Sequence, residues 1–490
     1  MPQINKESLM LSEEMKAWIF LISSMALAAG TPCEQLRGLK IPKVTVRAAA
    51  MSRSAPGLPS LPSFCRIEAV ARPVPDSKIE FEVWIPAGWN GKFEGVGNGG
   101  YVGAISYAAM GRALRNGYAT ASHNTGHVGD NLLFGLGHPE KVRDYAYRAV
   151  HVMTENAKLL IRAHTGRAAD KSYFVGCSAG GHQALSEAQR YPEDYDGIVA
   201  ASPANNRLRQ TLGFIHGWRA LHTENGWKIV SVAQLPLVTQ AVVKACDARD
   251  GLADGIIEDP RKCGPVDLSG ILTTSGANAV RQVWAGLKSP STGQPIFSGW
   301  PMGSEDSGDQ SWKAYLLEPV EPMRVGVFRY FLFGDPAWRW RNIDYDRDLK
   351  LAEQKLDYMQ AIDRDLSVFA NRGGKLLMYT GWADPVVPPQ DTINYYEAVT
   401  ATMGETKTRA FSRLFLAPGM AHCGGGPGPN QIDSLSAIDQ WVTKGVAPEQ
   451  IIAKRGARTR PLCAYPKVAR YTGKGSIDEA ANFVCVVPAP

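Results

Sequence analysis

The stretch Gly176-Cys177-Ser178-Ala179-Gly180-Gly181 constrains the fold of this chain more than any other. It follows Tyr173-Phe174-Val175, a short strand-like run, and precedes a segment from about Gly180 to Arg190 with helical character. A turn this tight leaves no room for side chains two positions either side of its central residue, which explains glycine at 176 and 180. Ser178 would then project from the sheet edge. The helix behind it would present free N–H groups to any negative charge developing there. Strand–helix alternation surrounds the motif. Residues 79–85 alternate as a strand, and Lys92 to Val96 form a second that runs into Gly97-Asn98-Gly99-Gly100. Residues 139–164 read as helical, and Gly197 to Ala201 as the next strand. The pattern predicts an α/β fold on a mostly parallel sheet.

From about Pro203 to Asp365 the alternation stops, and the chain becomes irregular and rich in Trp, Gly and Pro. It returns with Lys375-Leu376-Leu377-Met378-Tyr379 and Leu414-Phe415-Leu416. A chain of 490 residues is too long for one simple core. The economical reading is one core domain, 30–204 and 366–490, interrupted by an inserted lid domain over 205–365. The lid's aromatics (Trp218, Trp227, Trp284, Trp300, Phe328, Tyr330, Phe331, Phe333, Trp338 and Trp340) are expected mostly to fill its own core, with a few lining a pocket. Arg339 and Arg341 could pair with a substrate carboxylate, or simply form exposed ion pairs.

A nucleophilic serine needs a base, and the base needs a group to orient it. Where a Gly-x-Ser-x-Gly turn joins strand to helix in an α/β-hydrolase core, the order is Ser, then Asp or Glu, then His. After Ser178 the histidines are His182, His216, His222 and His422. His182 lies on the helix of the turn and would point elsewhere, while His216 and His222 fall in the insertion. His422 alone follows the last strand and is the candidate base. Asp384, in Gly381-Trp382-Ala383-Asp384-Pro385, follows the preceding core strand and is the candidate acid; Asp391 is the alternative but falls inside the next helix. The backbone N–H of Ala179 is the expected first oxyanion donor. Gly99 and Gly100 qualify for the second, and Gly100 is preferred. Cys177 precedes the serine and Cys423 follows the histidine, so if Ser178 meets His422 a Cys177–Cys423 bridge would tie nucleophile to base.

The N-terminus has the composition of an export signal. Met15-Lys16 is followed by an apolar run from Ala17 to Ile22 and then by Met25-Ala26-Leu27-Ala28-Ala29. Residues 1–29 are therefore expected to be a leader cleaved after Ala28 or Ala29. Glu13 and Glu14 are unusual upstream of one, which makes Met15 an alternative start. Beyond it there is no run of 18 continuous apolar residues, so a soluble, secreted or periplasmic protein with no membrane partner is expected. A net charge of +6 without a Lys/Arg run gives no reason to expect a nucleic-acid partner. Eight cysteines in an exported chain imply disulfides, and sequence alone allows 105 full pairings.

Cys-Ser and His-Cys around a triad, Gly-Cys-Ser-Ala-Gly-Gly, and Glu187-Ala188-Gln189-Arg190-Tyr191-Pro192 together resemble the tannase and feruloyl esterase family, over nearly the whole mature chain. The resemblance extends to the member that hydrolyses the mono-ester product of polyester degradation. It implies a serine carboxylester hydrolase acting on ferulates, gallates or related aryl esters through an acyl-enzyme. A peptidase or lipase, or a non-catalytic calcium-stabilised binding protein, are the competing readings. In the segment from Cys246 to Ile256 three aspartates stand three and four residues apart among glycines. Hard oxygens so arranged suit Ca²⁺, although the EF-hand consensus is not met. The resemblance implies ligation by the side chains of Asp247, Asp250 and Asp254 and the carbonyls of Leu252 and Ile256, as a structural staple away from the chemistry. It also implies Cys246–Cys263 around that loop, Cys463–Cys485 near the C-terminus and Cys33–Cys65 near the N-terminus. An extra lid disulfide of some family members has no cysteines here.

Overall fold

The computed structural model describes residues 30–488, so the expected leader over 1–29 lies outside the described residues. Its centre is a nine-stranded sheet in the order β1-β2-β3-β5-β4-β6-β7-β10-β11. The strands are β1 (Val44–Ser52), β2 (Phe64–Ala71), β3 (Ile79–Pro86), β4 (Lys92–Val96), β5 (Ala119–His123), β6 (Lys171–Cys177), β7 (Gly197–Ala201), β10 (Lys375–Gly381) and β11 (Ser412–Ala417). From β5 to β11 every neighbouring pair is parallel, while β1, β2 and β3 join antiparallel at one edge. The fold is thus α/β with a mostly parallel sheet, as the alternation predicts. Strands β3, β4 and β6 begin and end within a residue or two of the expected positions. The segment read as one helix over 139–164 is Pro139–Arg143, one wide turn over Asp144–Arg148, and Ala149–Thr165.

Period-two alternation in the central strands serves two buried faces, as a parallel sheet covered on both sides requires. Leu376 and Met378 of β10 pack on one side with Met153 and Leu160 of the helix Ala149–Thr165 and Leu185 of the helix Ala179–Arg190. Leu377, between them, packs on the other side with Ile438 and Trp441 of the helix Ser434–Lys444. The catalytic-type turn therefore rests on a sheet clamped from both faces.

Residues between β7 and β10 build a separate apolar core around Phe214, Trp218, Trp300, Trp312, Phe328 and Trp340. Its framework includes the helices Arg207–Leu221, Leu235–Cys246, Thr274–Ala285 and Tyr345–Lys355 and the small hairpin of β8 (Leu287–Lys288) and β9 (Pro295–Phe297). That core also takes in Tyr101, Tyr145, Val386 and Val387 from the sheet domain, so the two parts share a packed seam. Trp227 is the outlier among the insertion's aromatics, 75% exposed. The C-terminal segment forms two hairpins, β12 (Gln450–Arg455) with β13 (Arg458–Cys463), and β14 (Val468–Tyr471) with β15 (Phe483–Val486). Among the described residues no helix is long and apolar enough to cross a membrane.

Candidate active site

Ser178 stands between the end of β6 and the first residue of the helix Ala179–Arg190, with φ 62° and ψ −116°. A positive φ at a non-glycine residue is costly and persists only where its surroundings enforce it. Here the Ser178 N–H donates to the Ala201 carbonyl at 3.0 Å, and the N–H groups of His182 and Ala204 donate to the Ser178 carbonyl, each at 3.0 Å. The glycines do the work expected of them. A Cβ on Gly176 would lie 2.3 Å from the Gly180 carbonyl oxygen, and one on Gly181 would lie 2.4 Å from that of Ala201. Gly180 is tight against Gly97, and a Cβ on Gly97 would meet the Gly180 Cα at 2.6 Å. The turn is therefore packed backbone against backbone, with β4's end as its second wall. Gly176→Ala is expected to destabilise the protein by about 1–3 kcal/mol through overpacking. It should also slow Ser178 labelling by a fluorophosphonate; denaturant melts and labelling rates measure the two effects separately.

The loop after β4 is fixed to the serine's helix by a pair of amides that carries no mark in the sequence. The Asn98 N–H donates to Gln183 Oε1 at 3.0 Å, and Gln183 Nε2 donates to Asn98 Oδ1 at 3.1 Å. Asn98 Nδ2 in turn donates to the carbonyls of Ala104 and His123. This clamp carries Gly100, whose φ is +53°, to the pocket that also holds Ser178 and Ala179. Tyr145 donates to the Gly100 carbonyl at 2.7 Å, which turns that oxygen to a protein partner.

Asp384 follows β10 in a turn whose backbone it caps. Its Oδ1 accepts from the N–H groups of Val386 and Val387 at 2.8 and 2.9 Å. His422 Nδ1 lies 2.8 Å from Asp384 Oδ2 and 3.0 Å from Oδ1. The carboxylate is fully buried and the His422 side chain 2% exposed. Asp384 is thereby placed to accept a hydrogen bond from Nδ1–H, the arrangement that would leave Nε2 free to act as a base. The two turns interlock: the Ala383 N–H donates to the Met420 carbonyl at 3.0 Å, and a Cβ on Gly381 would meet that oxygen at 2.1 Å.

A disulfide joins Cys177 to Cys423, with their Cα atoms 5.9 Å apart. It ties the serine turn to the histidine turn, since Ser178 and His422 are each one residue from a bridged cysteine. Cys423 itself has φ 62°. The other three bridges are Cys33–Cys65, Cys246–Cys263 and Cys463–Cys485, which are the pairs the resemblance implies.

The remaining candidates are engaged elsewhere. The His182 ring meets the Ala146 carbonyl at 2.9 Å and is fully buried. His222 is held between the carbonyls of Trp218 and Leu317, and His216 contacts that of Gln282. Asp391 accepts from Ser298 Oγ at 2.6 Å, and burial pushes its carboxyl up to about 6. The pocket at Ser178 is lined by Tyr101, Arg207, Phe214, Tyr315 and Arg324 among others. Tyr101 comes from the sheet domain and the other four from the insertion. Arg207 and Arg324 stack on Tyr101 with their guanidinium carbons 5.3 and 4.9 Å from its ring centre. Sequence reasoning named neither arginine, because only the folded insertion brings them to the serine. Arg339 and Arg341 are exposed outside this pocket, and Arg341 stacks on Trp340 at 4.5 Å.

In the acidic loop the carboxylates fold back on their own backbone. Asp247 accepts from the N–H groups of Asp254 and Gly255, Asp250 from Leu252, and Asp254 from Ile256. Asp254 is also paired with Arg460. Burial first, then the charges of Asp254 and Asp247, pushes the Asp250 carboxyl up to about 6. The donors are hard oxygens carrying more negative charge than Arg460 offsets, which fits a calcium ion. The loop does not stand apart from the histidine turn: a Cβ on Gly419 would lie 3.2 Å from Ile256 Cγ2.

Comparison with known proteins places this geometry. The family model described as "Tannase and feruloyl esterase" matches residues 65–486. An uncharacterized esterase of Xanthomonas campestris is 35% identical, the alignment covering 94% of this chain and 92% of that protein. The mono(2-hydroxyethyl) terephthalate hydrolase of Piscinibacter sakaiensis is 32% identical over 90% of this chain and 88% of its own. The crystal structure of feruloyl esterase B from Aspergillus oryzae superposes with a TM-score of 0.86 at 28% identity, covering 93% of this chain and 99% of that one. With the family model spanning most of its length and esterases among its near relatives, the chain belongs to the tannase and feruloyl esterase family and is a carboxylic ester hydrolase of α/β-hydrolase fold.

Proposed function

We propose that this esterase is a secreted serine hydrolase that cleaves esters of aromatic acids through an acyl-enzyme. The observation that carries the reading is the Asp384–His422 pair bridged by disulfide to the Ser178 turn, with Ser178 itself in a pocket walled by Tyr101, Phe214 and Tyr315. Ser178 Oγ attacks the ester carbonyl and His422 Nε2 takes its proton. The N–H groups of Ala179 and Gly100 receive the oxyanion, and His422 then protonates the leaving alcohol. Water repeats the sequence on the acyl-enzyme. The guanidiniums of Arg207 and Arg324 add positive charge to the pocket in which the oxyanion forms. Flat aromatic acyl groups match walls of Tyr and Phe, where ring stacking adds about 0.5–1.5 kcal/mol beyond area burial. The names of the relatives, a terephthalate mono-ester hydrolase and feruloyl esterases, support the same substrate class. Export is supported by the expected leader and by the four disulfides.

Feruloyl, galloyl, terephthaloyl and aliphatic esters of one alcohol, assayed side by side, test the substrate class. Aryl acyl esters should show the higher kcat/KM. Phe214→Ala should erase that preference while leaving turnover of a small activated acetate largely unchanged. Equal turnover of aliphatic acyl esters by the unaltered enzyme would overturn the assignment.

Calcium in the loop Asp247–Ile256 belongs to the same proposal. The side chains of Asp247, Asp250 and Asp254 and the carbonyls of Leu252 and Ile256 would hold it, and its charge would offset the clustered carboxylates. Chelation is expected to lower the melting temperature, and added Ca²⁺ to restore it. Because Ile256 abuts Gly419, activity should fall at temperatures below global unfolding. Metal analysis finding no calcium in protein purified without chelator would refute the site.

A further inference from the structure

The segment Glu187 to Pro192 takes no part in the ester chemistry, yet it holds an unusual carboxylate. Glu187, on the helix Ala179–Arg190, is fully buried, and no N–H or hydroxyl donates to either of its carboxylate oxygens. An ionised carboxylate left in that state is strongly disfavoured unless a counter-charge or a proton reaches it. Two other ligand-bearing residues face it: His151 of the helix Ala149–Thr165 and Asp194 of the turn before β7. One ligand atom from each of the three lies within 4.8 Å of the other two. His151 Nδ1 and Asp194 Oδ2 are 2.7 Å apart. The imidazole is held flat against Tyr191, ring centres 3.7 Å apart and planes 4° from parallel. Lys158 Nζ is engaged by the Asp194 backbone carbonyl.

We propose that His151, Glu187 and Asp194 form a binding site for a divalent transition metal, with Zn²⁺ the ion that fits. One imidazole nitrogen and two carboxylate oxygens are a ligand set of zinc type, whereas calcium takes six or more oxygens. Two carboxylates balance the two charges of the ion, which relieves the burial of Glu187. Bound through Nδ1, the neutral imidazole would carry its N–H on Nε2, which faces Glu155 Oε2 3.3 Å away. A proton shared between Glu187 and Asp194 is the rival. Asp194 lies close enough to Glu187 for such a proton to bridge them, so the two readings are separated by metal titration. The site joins two helices and the turn leading to β7, so the ion would act as a staple behind the sheet and not as a reagent.

The test uses the full mature enzyme, stripped with chelator and restored with excess Ca²⁺ so that the acidic loop is not the variable. Titration with Zn²⁺ should bind one equivalent and raise the melting temperature. Co²⁺ in its place should give visible absorption bands of a nitrogen–oxygen site. Glu187→Gln keeps the side-chain shape and should abolish both signals, as should His151→Gln, which alters a partly exposed position should Glu187→Gln fail to fold. No Zn²⁺ binding by the calcium-loaded enzyme would overturn the proposal. So would binding that survives in Glu187→Gln or His151→Gln, since the metal would then sit elsewhere. A Glu187→Gln variant more stable than the unaltered protein and indifferent to Zn²⁺ would identify a shared proton instead.

Discussion

Ser178→Ala, His422→Ala and Asp384→Asn are each expected to reduce kcat on aryl esters by ~10⁴-fold or more while leaving the fold intact. The double and triple variants should be little worse than the worst single, because the three groups act as one unit and the residual rate comes from the oxyanion donors and binding alone. Asp384→Asn is the informative member. Asp384 Oδ1 accepts two backbone N–H groups besides facing His422, so the amide oxygen can keep that cap while its NH₂ turns to the imidazole. The ring would then have to present Nδ1 without its proton and carry the proton on Nε2, the wrong tautomer for a base. Chymotrypsin-type enzymes lose about 10⁴-fold by that route. Steady-state kinetics with a melting curve for each variant checks the expectation. Retained turnover in His422→Ala would sink it, because His182, His216 and His222 are held by backbone carbonyls in other parts of the molecule.

The serine turn and its partners were legible because each is written locally. Gly176, Gly180 and Gly181 are dictated by backbone approaches within a few residues or to the adjoining strand ends. Asp384 and His422 follow strands whose apolar runs announce them. The clamp of Asn98 to Gln183 was not legible. It joins positions 85 residues apart, and a glutamine on a helix carries no mark of what it will touch. Strand β5, Ala119 to His123, lacks the large apolar residues that signal a strand; it is nonetheless buried throughout, wedged between β3 and β4. The insertion was readable as a unit with an apolar core of its own and a few side chains at a pocket, but not which side chains those are. Arg207, Phe214, Tyr315 and Arg324 reach Ser178 from distant parts of that insertion, and only its tertiary packing decides that these side chains, and not Arg339 or Arg341, meet the serine.

Loss of the Cys177–Cys423 bridge is expected to have the second-largest effect, and to act on chemistry as much as on stability. The cysteines are 246 residues apart in sequence. In the chain-entropy model a closed loop of that length contributes about 5 kcal/mol, an upper figure because native strain and residual unfolded structure reduce it. Replacing both cysteines by alanine removes the bridge without leaving a lone thiol. That variant should unfold at lower denaturant concentration and show a lower kcat even well below its melting point. The reason lies in the backbone on either side: Ser178 and Cys423 both hold a positive φ of 62°, a conformation that relaxes when its anchor goes. The Asp384–His422 contact would stay, since the Ala383–Met420 hydrogen bond still interlocks those two turns; the serine would separate from an intact acid–base pair. Fluorophosphonate labelling isolates that step, because it needs His422 to activate Ser178 but requires no aryl acyl group to bind. The labelling rate should fall along with kcat. Should it stay at the native rate while the melting temperature drops, the bridge would be a staple only, and its position between nucleophile and base would have no catalytic consequence.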